Sequence, residues 1–246
     1  MPDARQTVDR WFSIRLGVSV GDLKPGEVAV ATCERDTLWV VDFGDRAVVQ
    51  TRRAALEVMS RLASASRPDH VTRDEFCGDL VAGLRACHPA VTWEVWGTKV
   101  YFYHPGHAAL VATDGEIRRL TPADVGKWVG HRLGASGADQ PGVVPGEAWG
   151  LFLGDRLIGE VVTHHTSGAD MAHLVVEDGI EVTEEYRGRG YGKALLAAWT
   201  RKMQVRGRVC IHSTAADNAA SLAVARAVGY VEYARRRRIT CPPAKD

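Results

Sequence analysis

The chain has 246 residues, 46% of them hydrophobic and 25% charged, with a formal net charge of +1. That length suits one large domain or two small ones, and the near-neutral charge supplies no global field toward nucleic acid or a membrane surface. No apolar run reaches the length of a membrane span, and residues 1–6 lack the apolar core of a secretory signal. Five scattered cysteines without a C-x-x-C fit a reducing cytoplasm, the expected location.

Residues 1–115 read as a mixed α/β unit. Apolar alternation predicts strands near residues 27–32, 38–42 and 47–50, helices near 52–63 and 74–87, and strands at 91–96 and 99–103. A second unit is expected over 116–246. It opens with a short strand into Thr121 as N-cap, Pro122 at the first helical position, and a helix through Val125, Trp128, Val129 and Leu133. A loop rich in Gly, Pro, Ala and Ser follows over 134–146. A hairpin then joins residues 148–153 to 157–162 through a Gly154-Asp155 turn.

An echo links the two halves. Trp11, Arg15, Leu16, Gly17, Ser19 and Asp22 recur at the same spacing as Trp128, Arg132, Leu133, Gly134, Ser136 and Asp139. Chance in a chain rich in Gly and Arg is one reading; a duplicated unit whose first copy has decayed is the other.

The stretch Arg187-Gly188-Arg189-Gly190-Tyr191-Gly192-Lys193 follows a β-like segment and opens a helical one. Alternating glycines leave main-chain N–H groups uncovered, and the helix N-terminus adds a favourable dipole, so the turn suits a pyrophosphate. The spacing is neither G-x-G-x-x-G nor G-x-x-x-x-G-K-[ST], which sets aside the dinucleotide and nucleoside triphosphate loops. Downstream, Asp217 or Asn218 can cap a helix with an apolar face of Leu222, Val224, Ala225 and Val228. Gly229 ends it, and a strand begins at Tyr230.

The R-x-x-G-x-G at 187–192, with the Asn218…Ser221…Gly229-Tyr230 segment in order and spacing, resembles the acyl-CoA binding motifs of the GNAT acyltransferase superfamily. The resemblance covers roughly the last 130 residues, a small domain of ordinary size. It implies a mixed, mostly antiparallel sheet flanked by helices, and transfer of an acetyl or other short acyl group from acyl-CoA to a primary amine by direct attack in a ternary complex. It implies that Ile180, Glu181 and Val182 pair with pantetheine, the Val182 N–H facing the thioester oxygen. Gly188 to Lys193, with Arg187 and Arg189, would cradle the pyrophosphate. Asn218 would bond the pantetheine arm, with Ser221 beside it. The superfamily often places a tyrosine seven positions after the matched Asn, to protonate the thiolate; here that position is Ala225. Ser221 or water is the alternative donor. Candidate bases are His212, on a strand where relatives can carry a catalytic Glu, and Glu181.

Other features point less far. His104 to His107 and His164-His165 lack carboxylates or cysteines at ligand spacing, so surface histidines and no metal are expected. Arg235 to Arg238 reads as an exposed, charged strand edge. The tryptophans read mostly as core. The acceptor, the donor chain length and homodimer formation stay open. The rival functions are a non-catalytic acyl-CoA sensor and a nucleic-acid or protein-binding module built on the arginine run.

Overall fold

A computed structural model describes residues 3–121, 123, 124, 143–165, 171 and 173–241. Among the described residues, eleven strands pair mostly antiparallel and are flanked by five α-helices. The elements are α1 Ala4–Leu16, β1 Val28–Thr32, β2 Thr37–Asp42, β3 Ala47–Thr51, α2 Leu56–Ser64, α3 Asp74–Cys87, β4 Glu94–Val95, β5 Lys99–Tyr103 and β6 Glu116–Arg119. They continue with β7 Val143–Leu153, β8 Arg156–His165, β9 Val175–Val182, α4 Tyr191–Val205, β10 Val209–Ala215, α5 Ala219–Val228 and β11 Val231–Thr240. Two compact units interleave along the chain. One comprises Met1–Val8, Phe102–Ser213 and Asn218–Val231; the other comprises Asp9–Tyr101, Thr214–Asp217 and Glu232–Asp246.

In the second of these units, β2 lies between β3 and β11, antiparallel to both, while β1 runs parallel to β3. Alternation along β2 serves two faces. Leu38 and Val40 join Val49, Ile239 and the helix residues Met59, Phe76, Leu80 and Leu84 in one core. Trp39 turns the other way, toward Trp11 and Phe12 of α1 and Tyr101. Helix α1 is absent from the sequence reading. Its signal is present all the same: Val8, Trp11, Phe12 and Leu16 are buried at helical spacing, and Asp3 Oδ1 accepts the Gln6 N–H at 3.0 Å as an N-cap.

The arginine run corrects an expectation. It lies within β11, paired with β2 from Arg235↔Asp42 to Thr240↔Thr37, and is not an exposed edge. Arg236 is 9% exposed, its guanidinium 4.4 Å from the Trp39 ring centre. Arg237 pairs with Asp74, and Arg238 lies 4.1 Å over Trp96. Long aliphatic stems and cation–π contact let arginine occupy a paired strand beside aromatic rings. Among the described residues, Trp96 is the exposed tryptophan, at 48%.

In the unit that carries the glycine motif, β6 to β9 form an antiparallel meander. Helix α4 buries Leu195, Leu196, Trp199 and Met203. A Cβ at Gly159 of β8 would lie 2.8 Å from Leu195 Cδ1, so glycine there lets α4 sit close to the strand. Trp199 Nε1 donates to Thr163 Oγ1 at 2.9 Å, which satisfies a buried donor. At the expected Thr121 start the reach-back half of a capping box is present: Asp124 Oδ2 accepts from the Thr121 N–H at 2.9 Å, and from its hydroxyl at 2.8 Å. Arg118, paired with Asp124, holds that carboxyl well below the usual range. The helix expected through Val125 to Leu133, most of the 134–146 loop and the Trp128 half of the echo lie outside the described residues.

His104 departs from the surface reading. It is buried, with Nδ1 2.7 Å from Gly106 O and Nε2 3.2 Å from Val228 O. Among the described residues no cluster of three or more His, Cys, Asp or Glu could hold a metal ion, and no helix is long and apolar enough to cross a membrane.

All five cysteines are free. Burial pushes the Cys77 thiol up to about 11 and the Cys210 thiol well above its ordinary range, so neither offers thiolate near neutral pH. Alkylation of the native protein at pH 8, read by peptide mass spectrometry, should label the half-buried Cys87 and Cys241 well before Cys77 and Cys210. Fast labelling of Cys77 in folded protein would contradict this packing.

Candidate acyl-CoA site

Strand β9 pairs with β8 on one side and β10 on the other, but the two pairings differ in length. β9 and β8 stay in register from Val176↔His165 to Val182↔Gly159. β9 and β10 run parallel for three rungs, Val209↔Val175, Cys210↔Val176 and Ile211↔Glu177, and then part. The Thr183 N–H donates to Ile158 O, which fixes the alternation on the β8 side. Odd-numbered residues of β9 near its end bond β8, so the main-chain groups of Ile180 and Val182 face away from β8, toward the opening that β10 leaves. Val182 O on that side accepts from Arg187 Nε at 2.9 Å.

A one-turn 3₁₀ helix, Glu184–Tyr186, leads from β9 into the glycine turn. Gly188 and Gly190 have φ of 76° and 86°, in the left-handed region, and a Cβ on either would meet nothing within 4 Å. Glycine is therefore needed here for backbone conformation and not for room, and the turn's amides stay uncovered. Gly190 is the N-cap of α4, with no side-chain cap bond. The first-turn N–H groups of this 15-residue helix thus receive no bond from a side chain at the N-cap position. Arg189 lies 5.4 Å over the Tyr186 ring, and Tyr191 OH donates to Asp114 at 3.3 Å. Arg187 and Glu181 approach to 3.7 Å, and Glu160, fully buried on β8, is opposite Glu181 in the register.

Helix α5 closes on this turn. A Cβ at Gly192 would lie 3.6 Å from Val224 Cγ2 and 3.8 Å from Val182 Cγ2, so the start of α4, the end of β9 and the middle of α5 converge. Of the two candidate caps, Asn218 is the one used: its Oδ1 accepts the Ser221 N–H at 3.1 Å. The helix ends in a Schellman motif. Gly229 has φ 100°, its N–H reaches Arg226 O, and the Tyr230 N–H reaches Ala225 O. Ala225 is fully buried; Leu222 and Val224 are only half-buried.

His212 lies one residue past the last β9–β10 rung. Its Nδ1 is 3.0 Å from both carboxylate oxygens of Asp178, the β9 residue one past the same rung, and its Nε2 is 2.9 Å from Ser221 Oγ. The His212 and Asp178 side chains are 3% and 0% exposed, whereas Ser221 is half-buried. The sequence singled out His212 and Ser221 separately and missed Asp178. Nothing in the local pattern of β9 marks it; only the register that brings β9 beside β10 does. Ser213 and Glu177 form a second hydrogen-bonded pair at the same fork.

A buried carboxylate whose partner is removed is strongly destabilising, by about 3–5 kcal/mol. His212→Ala should cost a large part of that in urea unfolding, since the enclosed Asp178 carboxyl would lose its imidazole partner. A loss below about 1 kcal/mol would mean that the pair does not hold the fork.

Residues 132–230 match the family model described as the Acetyltransferase (GNAT) family. A search of curated proteins finds no match. Among solved structures, a GCN5-related N-acetyltransferase from Kribbella flavida aligns at 14% identity over 99% of this chain and 96% of its own, with a TM-score of 0.48. A putative GNAT-family acetyltransferase from Novosphingobium aromaticivorans aligns at 20% identity over 61% of this chain and 67% of its own, with a TM-score of 0.46. A tandem GNAT protein from the clavulanic acid biosynthesis pathway aligns at 17% over 71% of this chain, with a TM-score of 0.46; this chain spans 61% of its length. The glycine turn, the capped α5 and the strand that leads into the turn all fall within the residues that match the GNAT acetyltransferase family model.

Proposed function

We propose that the protein is an N-acyltransferase that moves an acetyl or other short acyl group from acyl-CoA to a primary amine. The carrying observation is the opening between β9 and β10, with a left-handed glycine turn at the end of β9. Backbone groups of Ile180 and Val182 offer an edge along which the amide-rich pantetheine arm can pair as an added strand. The amides of residues 188–193, with Arg187, Arg189 and Lys193, suit the diphosphate. Asn218 uses its side-chain oxygen for the cap, which leaves its amide NH2 as a separate donor for the arm.

In this reading the amine attacks the thioester carbonyl directly. The Val182 N–H then meets the oxyanion of the tetrahedral intermediate, where a fixed backbone donor lowers the barrier without reorganisation. Glu181, partly exposed and near Arg187, is the candidate acceptor for the attacking amine's proton. His212, enclosed with both ring nitrogens engaged, is placed to act through Ser221. Five free thiols suit a reducing compartment such as the cytoplasm. A second reading, an acyl-CoA sensor, draws on the buried Ala225 where a tyrosine donor is usual.

Free-thiol release across a panel of amines, with acetyl-, propionyl- and longer acyl-CoA, tests the proposal. Release that depends on both donor and amine is the expected result; tight acetyl-CoA binding with no release over the whole panel would favour the sensor. Gly190→Val places a β-branched residue at φ 86° and should raise the Kd for acetyl-CoA at least about tenfold, as measured by calorimetry.

A further inference from the structure

We propose that Ser221, fed by His212 and Asp178, is the acid that protonates the departing thiolate in this chain. The inference rests on the acyl-transfer reading above. It begins from the hydrogen-bonded line Asp178–His212–Ser221, with separations of 3.0 and 2.9 Å. Exposure rises along that line, from a fully enclosed carboxylate through a 3% exposed imidazole to a half-buried hydroxyl. The imidazole does not reach the surface itself. Its Nε2 meets Ser221 Oγ, so a proton it holds can pass outward through the serine.

Position supports the same assignment. Asp178 and His212 are the first residues beyond the last β9–β10 rung, at the fork of the opening. Ser221 stands in the first turn of the ten-residue α5, where the helix dipole favours an anion such as a thiolate. The cap uses the Ser221 backbone N–H, so its hydroxyl is not part of the capping bond. Ala225, where a tyrosine donor is usual, follows Ser221 by four residues, one turn further along the same helix face. Val224 of that helix packs beside the glycine turn and the end of β9.

The proton inventory closes. Attack by the amine nitrogen forms the C–N bond; collapse of the intermediate breaks the C–S bond and leaves the electron pair on sulfur. Sulfur takes the Ser221 hydroxyl proton as Oγ takes the proton of His212 Nε2. Asp178 accepts the Nδ1–H throughout, and His212 enters the step with a proton on Nε2 as well. The attacking nitrogen loses its proton to the base or to water, and His212 recovers one from solvent. Amine and thioester become amide and thiol, with no redox change. Tyr230, whose ring centre lies 6.1 Å from that of His212, is pushed well up by burial and stays neutral.

The test uses the full chain, an amine accepted by the wild type, and acetyl-CoA. Ser221→Ala should lower kcat about 100-fold with the Kd for acetyl-CoA unchanged by calorimetry. Ser221→Thr, which keeps the hydroxyl, should recover most of the loss, and Asp178→Asn should lower kcat in the same sense. A Ser221→Ala enzyme with wild-type kcat would overturn the proposal. So would a loss confined to acetyl-CoA affinity, which would make Ser221 a binding contact. An acetyl group on Ser221, found by intact-mass analysis of wild type quenched during turnover, would make it a nucleophile and overturn the assignment too. A wild type that binds no acetyl-CoA takes down the acyl-transfer reading itself, and the relay with it; that result is distinct from the others because it precedes any substitution.

Discussion

The parting of β9 and β10 is the constraint on which the site depends. Two parallel strands that stayed paired would satisfy each other's main-chain groups and leave no edge for a ligand. Here three rungs hold them together and then the pairing stops, while β9 continues in register with β8 to Val182. The result is a strand fixed firmly on one side and open on the other. Two kinds of chemistry gather at the fork: uncovered backbone donors along β9 and in the glycine turn, and the enclosed Asp178–His212 pair that bridges the gap where backbone pairing ends. A hydrogen-bonded pair in this place completes with side chains what the ladder leaves undone.

The helices fit the same geometry. α4 can begin at Tyr191 because Gly188 and Gly190 take left-handed conformations, and it can lie close on the sheet because Gly159 carries no side chain. α5 reaches the turn through Val224 and brings the Ser221 hydroxyl to His212. Its ends are fixed by local chemistry, an asparagine N-cap and a glycine Schellman turn, so the position of Ser221 along the helix is set by the sequence itself.

Those local rules explain which parts were legible before the fold was known. The glycine turn, the hairpin of β7 and β8, and the cap and stop of α5 each follow from spacing over a few residues, whereas the mixed, mostly antiparallel architecture came only with the family resemblance those motifs carry. The Asp178–His212–Ser221 line does not follow from such spacing. Its members come from β9, β10 and α5, 34 and 9 residues apart in the chain, and only strand register brings them together. The arginine run misled for a related reason. Read alone, Arg235 to Arg238 looks like solvated charge; in place, β11 is paired with β2 and the guanidinium groups of Arg236 and Arg238 lie over aromatic rings. Helix α1 was legible in principle, since Asp3 caps it and its apolar spacing is helical, although Trp11 and Arg15 also belong to the echo with residues 128–132.

The most direct measurement of the central claim is a structure of the protein with acetyl-CoA bound. The diphosphate is expected within hydrogen-bonding distance of the amides between Gly188 and Lys193, and the pantetheine arm along Ile180 to Val182 in the opening beside β10. An acetyl-CoA that lodges away from the glycine turn, or leaves that strand edge bare, would contradict it.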